Sequence, residues 1–315
     1  MNKKFLKRDK HHAERRTAAG KPAGPDEVFR AERGANNVAN SGTLYMVATP
    51  IGNLEDITFR AVRILREVSL IAAEDTRHTR ILLQKYEIST PLTSLYDQIE
   101  KEKSGLIVEK LLAGQDVAYV SDAGTPGISD PGYILVRAAV LRGIRVSPVP
   151  GASALIASLC ASSLPMESFV FMGFLPSKAS RRRQLLTNLC KEDKTVIFYE
   201  SPNRLMESLN DIREIWGDRN IVVSRELTKM HEEFVRGSVQ EALSAFQERI
   251  VKGEITLVVE GFCGIKVVMS DEKIKMRGAE LIHGGDEPLS VRDAATRIAK
   301  ETGDSRKRIY KLLFP

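Results

Sequence analysis

Six consecutive positions, Glu74-Asp75-Thr76-Arg77-His78-Thr79, put two carboxylates, an imidazole and a guanidinium into one short stretch. Carboxylates and histidine move protons in general acid–base catalysis, and an arginine fork holds phosphate oxygens. Glu74, Asp75 and His78 are therefore candidates for proton transfer or substrate orientation, with Arg77 as a phosphate contact. The structural alternative is that the two acids only cap a helix starting at Thr76, because negative charge favours a helix N-terminus. A second stretch, VSDAGTPGISDPG over 120–132, holds three Gly, two Pro, two Asp, two Ser and one Thr in 13 positions. A plain connector needs far fewer such residues, and loops this long are commonly functional.

The elements around these stretches alternate. Short apolar runs at 44–48, 70–73, 92–95, 117–120 and 145–149 are each followed by a polar loop and then a helical pattern. Strand–loop–helix repeats of this kind predict a parallel sheet covered by helices. Four of the strand ends carry unusual loops: TPIGN at 49–53, EDTRHT at 74–79, SDAGTPGISDPG and PGAS at 150–153. On one edge of one sheet they would line a common crevice, the usual ligand position in open α/β sheets.

After Leu164-Pro165 the pattern changes. Strands are expected at 169–175, 195–199, 221–224 and 255–260, with 233–236 pairing antiparallel to a neighbour, and helices at 180–189 and from Ser201-Pro202 onward. The reading is an α/β chain of two domains, 41–164 with a parallel sheet and 165–263 of α+β type, preceded by a disordered basic extension over 1–40. Residues 264–287 read as a linker. Beyond it, Ser290 and Asp293 form a capping pair, Gly303 ends one helix, and a second, cationic helix completes a helix-turn-helix-like tail.

Composition narrows the class. Three cysteines, far apart, and five histidines show no metal-ligand spacing, so no metal is expected. No run reaches the roughly 18 apolar residues of a membrane span, and the basic N-terminus has no apolar secretory core, so a cytoplasmic protein with no membrane partner is expected. The net charge of +6 is unevenly placed: residues 1–40 carry +5, 264–315 carry +3, and the body is slightly acidic. Basic tails on a near-neutral body point to a polyanion such as RNA, or to tails that serve only solubility.

The loops lack GxxxxGK[ST], and no GxGxxG follows the first strand. Glycine-rich backbone without a phosphate-binding lysine fits a ligand with an adenosine part and no phosphates, such as S-adenosylmethionine. Asp122 would bond ribose hydroxyls or favour a sulfonium charge, and the amides after Pro150-Gly151 would meet adenine or the methionine carboxylate. Arg181-Arg182-Arg183, the cluster Glu200, Arg225, Glu226 and Lys229, and Arg306-Lys307-Arg308 are candidate RNA contacts. Solvated charge or an internal ion-pair network is the competing reading for each.

The ordered motifs LYMVATPIGNLEDIT, LIAAEDTRHT, YVSDAGTPGISDPG, PVPGASAL, FMGFLPSK, VIFYESPNRL and SRELTKMHEEFVRG make residues 43–261 resemble the tetrapyrrole methylase superfamily. Within it, the chain is most similar to the branch that methylates cytidine 2′-hydroxyls in small-subunit ribosomal RNA. The resemblance implies a two-domain enzyme that binds S-adenosylmethionine in the interdomain cleft, acts as a homodimer and modifies 16S rRNA in the decoding region. It carries cofactor contacts onto Thr49, Pro50 and Gly52, onto Asp122, Gly124 and Thr125, onto Gly151, Ala152 and Ser153, and onto backbone near Tyr199 and Gly261. For a 2′-hydroxyl acceptor, Asp75 or Glu74 would take the proton or orient the ribose. The chain departs from the branch at Tyr96-Asp97-Gln98-Ile99, where a histidine pair is usual, and at Asn203 and Gly127. Two other functions remain open at this stage: methylation of a corrin or porphyrin precursor, and a non-catalytic RNA-binding module that senses the cofactor.

Overall fold

A computed structural model describes residues 40–264, 269–284, 288–302 and 304–314. The expected basic extension, apart from Asn40, and Gly303 lie outside the described residues.

The first sheet is built from β1 (Thr43–Val47), β2 (Leu70–Ala73), β3 (Leu92–Ser94), β4 (Val117–Val120) and β5 (Arg145–Val149). Its order is β3-β2-β4-β1-β5 and every pairing is parallel. The central strand β4 reads Val-Ala-Tyr-Val and is buried at all four positions, as a strand covered on both faces must be. Pro148 lies on β5, an edge strand, where its missing N–H costs no ladder bond. The helices are α1 (Phe59–Glu67), α2 (Thr76–Lys85), α3 (Asp97–Leu112) and α4 (Tyr133–Leu141). Ala61, Ile64, Leu65 and Leu83 bury one face of the sheet, while Ile107, Val108, Leu111, Leu135 and Ala139 bury the other.

The second sheet contains β6 (Phe169–Phe174), β7 (Thr195–Glu200), β8 (Asn220–Arg225), β9 (Glu233–Ser238) and β10 (Ile255–Val259), in the order β6-β7-β10-β8-β9. Only β6 and β7 are parallel; the other three pairings are antiparallel. One face is covered by α6 (Ala179–Leu189), α7 (Leu205–Trp216) and α8 (Val239–Phe246). The other face is met by α5 (Ala154–Cys160), whose Leu155 and Leu159 pack on Ile197, Val222 and Val258. A helix that follows the last strand of the first sheet thus lies on the second, and it joins the two.

The stretch read as a linker is corrected in part. Asp271–His283 is a helix, α9, capped by the Ser270 hydroxyl, which accepts from the Lys273 N–H. With α10 (Val291–Thr302) and α11 (Arg306–Leu313) it encloses Ile274, Ala295, Ile298 and Ile309. The tail is therefore three helices. Leu313 packs over Gly278 of α9, where a side chain would not fit.

Glu100 organises the long loop after β4. Buried on α3, its Oε1 accepts N–H bonds from Gly132 at 3.0 Å, Ile134 at 2.9 Å and Leu135 at 3.1 Å. It thereby closes the loop and satisfies the first amides of α4 with negative charge. Glu100→Ala leaves these amides without their acceptor and is expected to lower stability by about 2–3 kcal/mol in urea unfolding, with Glu100→Gln intermediate.

Candidate active site

The first sheet's strands are parallel, so its four unusual loops open on one edge. Strand order then sets their neighbours: EDTRHT beside the loop after β4, then TPIGN, then PGAS. Thr49 and Gly124 exchange two backbone hydrogen bonds, at 2.9 and 3.0 Å. The Thr49 hydroxyl also donates to the Ser121 carbonyl, and the Thr125 hydroxyl to the Ala152 carbonyl, both at 3.3 Å. Three loops are thus tied into one rim.

Two cavities flank that rim. The larger, about 270 Å³, lies between the sheets. Gly124, Thr125 and Ser153 line it from the first sheet; Tyr199, Glu254 and Thr256 line it from the second. The Tyr199 hydroxyl accepts from the Leu155 N–H at 3.2 Å, and burial pushes the phenol's pKa up, so it stays protonated. Ile51, Ile128, Phe174 and Ile255 supply apolar wall. Asp130, Glu200 and Glu254 lie on the polar wall, Glu200 paired with Arg204 and Glu254 with Lys229, and no Lys or Arg itself lines it among the described residues. The smaller cavity, about 180 Å³, is lined by Thr49, Pro50, Leu54, His78, Ile81 and Asp122, among others. The segment 121–124 contributes to both walls.

EDTRHT is tightly bonded. Asp75 is the N-cap of α2, its Oδ1 accepting from the Arg77 N–H at 2.8 Å, and both its oxygens accept from the Arg77 guanidinium. These bonds from Arg77 hold the Asp75 carboxyl down at about 2. A carboxylate so depressed is a poor proton acceptor, so the capping role is the one its geometry displays. Asp122 Oδ1 accepts from the Asp75 N–H at 2.9 Å, and Glu74 Oε2 accepts from the Asp122 N–H at 3.2 Å. His78 Nδ1 lies 3.5 Å from Asp122 Oδ2. Asp75, His78 and Asp122 bring one ligand-type atom each within 4.8 Å of one another, a spacing a cation could use. Arg77 already occupies both Asp75 oxygens there.

Several expected cofactor residues fall elsewhere. Thr49, Pro50 and Asp122 line the smaller cavity. Gly151 packs on Ala48, and Ala152 offers its carbonyl to Thr125. Gly52 gives close approach to the loop after β8, not to a ligand: a Cβ there would lie 2.5 Å from Lys229 Cγ. In the same contact the Asn53 N–H donates to Thr228 Oγ1 at 3.0 Å. Gly261 is corrected outright. It follows the end of β10 that pairs with the start of β7, roughly 20 Å along the strand from Ile255 in the cavity. A Cβ at Gly261 would clash with the Asp193 carbonyl, so backbone packing demands the glycine. The opposite end of β10, Gly253 to Thr256, does line the cavity. Its one sequence signal is Gly-Glu just before the last apolar run.

The basic candidates divide in a similar way. Arg182 is 2% exposed, with Nε 2.7 Å from Asp211, so it cannot reach an RNA backbone; the triple-arginine reading is corrected there. Arg183 pairs with Asp211 and Glu214, while Arg181 is exposed. Arg225 pairs with Glu233. Burial pulls the Lys229 pKa down, but bonds to Glu226 and Glu254 outweigh it and leave the ammonium raised, while Glu226 is lowered by the same bond. Glu200 is buried against Arg204 and Ser208. In the tail, Arg308 pairs with Asp271 and Asp304, and Arg306 and Lys307 face solvent.

This architecture, two sheets holding an acid-lined cavity at the strand-end loops of the first, is that of a methyltransferase fold. The model of the Tetrapyrrole (Corrin/Porphyrin) Methylases matches residues 43–243, and the chain belongs to that family. Ribosomal RNA small subunit methyltransferase I of Thermotoga maritima is 51% identical over 220 residues, covering 70% of this chain and 99% of that protein. Its namesake in Synechocystis sp. is 47% identical over 273 residues, covering 86% and 97%. Among solved structures, the methyltransferase CobJ superposes with a TM-score of 0.55 at 19% identity, covering 71% of this chain and 95% of that one. A uroporphyrin-III C-methyl transferase from Thermus thermophilus complexed with S-adenosyl homocysteine gives 0.50 at 18%, covering 70% and 98%.

Two outcomes test the placement of these charges. Arg182→Ala removes the buried partner of Asp211 and leaves it Arg183 alone; it is expected to cost about 1.5–3 kcal/mol in urea unfolding without a matching change in RNA affinity, and Arg181→Ala the reverse. Since the Asp75 carboxyl is lowered from 3.8 to about 2, its pairing stabilises the fold above pH 3.8 and is lost as pH falls through about 2. Asp75→Asn is expected to flatten that part of the acid dependence of the melting temperature.

Proposed function

We propose that the chain transfers a methyl group from S-adenosylmethionine to the 2′-hydroxyl of a cytidine in the decoding region of 16S rRNA. The cavity between the sheets carries this reading. Its apolar wall suits an adenine face, and its hydroxyls and backbone suit ribose and amino-acid groups. The absence of Lys and Arg from its described lining fits a ligand without phosphates.

When bound, S-adenosylmethionine supplies an activated methyl on a positively charged sulfur. The chain's own contribution is positioning, the larger part of the rate in a displacement of this kind. Tyr199 fixes the start of α5 at the cavity wall through the Leu155 N–H. The bonded pair Thr49 and Gly124 holds the rim that separates the two cavities. Relatives named as small-subunit rRNA methyltransferases, 43–51% identical, support RNA over a tetrapyrrole as acceptor. Of the candidate RNA contacts, Arg181, Arg306 and Lys307 are exposed and available to its phosphates.

The protein is further read as a homodimer working on the small ribosomal subunit in the cytoplasm. The exposed apolar side chains Tyr133, Val140 and Leu141 on α4 support a second copy as their cover. No described helix is long and apolar enough to cross a membrane.

Nucleoside mass spectrometry of 16S rRNA, with and without the gene, tests the acceptor; loss of one 2′-O-methylcytidine is expected, and an unchanged profile refutes it. Ser153→Trp, which fills the cavity, is expected to weaken S-adenosylmethionine binding by calorimetry at least about tenfold while the fold is retained.

A further inference from the structure

We propose that His78, held by Asp122, is the catalytic proton acceptor, and that the smaller cavity receives the ribose bearing the attacking 2′-hydroxyl. This rests on the preceding reading that the donor occupies the larger cavity and that RNA is the acceptor.

The two acids beside His78 are committed elsewhere. Both Asp75 oxygens accept from Arg77, and the Asp75 carboxyl sits at about 2. Glu74 braces the neighbouring loop through the Asp122 N–H. His78 stands on the first turn of α2 with its side chain 67% exposed, at the wall of the smaller cavity. Asp122 is fixed by the Asp75 N–H on one oxygen and faces His78 Nδ1 at 3.5 Å with the other. A carboxylate facing Nδ1 favours the tautomer with the proton there, which leaves Nε2 with a free lone pair. The charged groups around the imidazole are Asp75 and Arg77 on its own turn and Asp122 and Glu74 at the adjoining strand ends.

The cavity suits a nucleoside. Pro50, Leu54 and Ile81 offer apolar surface, and Thr49, His78 and Asp122 polar groups. At about 180 Å³ it is the smaller of the two, against about 270 Å³ for the cavity assigned to the donor. Because 121–124 walls both cavities, an acceptor in one lies against the rim of the other.

The step balances. The 2′-oxygen forms a bond to the methyl carbon as the carbon–sulfur bond breaks, and that electron pair returns to sulfur, neutralising the sulfonium. The hydroxyl proton passes to His78 Nε2, and the exposed imidazolium then releases it to water.

The test is single-turnover methyl transfer to a small-subunit RNA across neutral pH. His78→Gln is expected to slow transfer about a hundredfold or more, to abolish the rise of rate with pH, and to leave cofactor and RNA affinities within about twofold. The ¹⁵N shifts of His78 should show Nδ1 protonated in the wild type and lose that preference in Asp122→Asn. A His78→Gln enzyme with the wild-type rate and pH profile overturns the assignment, as does a wild-type rate abolished by a metal chelator. A wild type that binds no donor, or methylates no ribose, instead refutes the underlying functional reading.

Discussion

The site depends on one pair of backbone hydrogen bonds. Thr49 and Gly124 belong to loops leaving adjacent parallel strands, and the reciprocal bonds between them close those loops into an antiparallel bridge. Loops of this length would otherwise sample many conformations, at a cost of about 1–2 kcal/mol for each residue fixed. The bridge fixes the segment 121–124, and with it the wall that two cavities share. Gly124 adopts φ of +75°, a conformation that a side chain would strain, so the bridge explains that glycine directly.

The second sheet completes the site through contacts that include two near the rim. Above the rim, the loop after β8 reaches Gly52 and Asn53, and two of its residues, Glu226 and Thr228, hold positive φ without being glycine. Strain of that kind persists where surrounding contacts over-determine the backbone, and here the Glu226–Lys229 pair and the Thr228–Asn53 bond do so. At the other place, α5 leaves the first sheet, packs on the second, and is anchored by Tyr199. The larger cavity exists only because both contacts set the spacing between the sheets.

Charge is distributed by the same packing. Many cations that looked available to RNA neutralise nearby acids: Arg182 with Asp211, Arg225 with Glu233, Lys229 with Glu226. Arg182 shows the reason most clearly. A guanidinium at 2% exposure would suffer a large desolvation penalty unless paired, so Asp211 on the adjacent helix is required for it to be there at all. The cations left in solvent, Arg181, Arg306 and Lys307, sit at helix starts far apart in sequence. Binding a polyanion with them calls for a large, folded partner surface.

The sequence by itself determined the parallel sheet, the edge on which its loops open and the chemical class of the ligand. Strand–helix alternation and loop composition are local properties that leave one sensible topology. It also placed His78 and Asp122 among the candidates, because polar residues at strand ends stand out in a reading of pattern, while Tyr199 and Ser153 entered through the family resemblance. Only the tertiary structure decided what each candidate does. It separated Thr49, Pro50 and Asp122 from Gly124, Thr125 and Ser153 into two cavities, because neighbours in one loop face opposite sides of the Thr49–Gly124 bridge. It put Gly253 and Thr256, not Gly261, on the cavity wall, because antiparallel pairing with β7 puts the start of β10, not its end, beside Tyr199. It turned part of a linker into a helix, since Ile274 becomes apolar core only once two later helices fold over it. Side-chain roles of this kind depend on partners distant in sequence, and no local pattern carries that information.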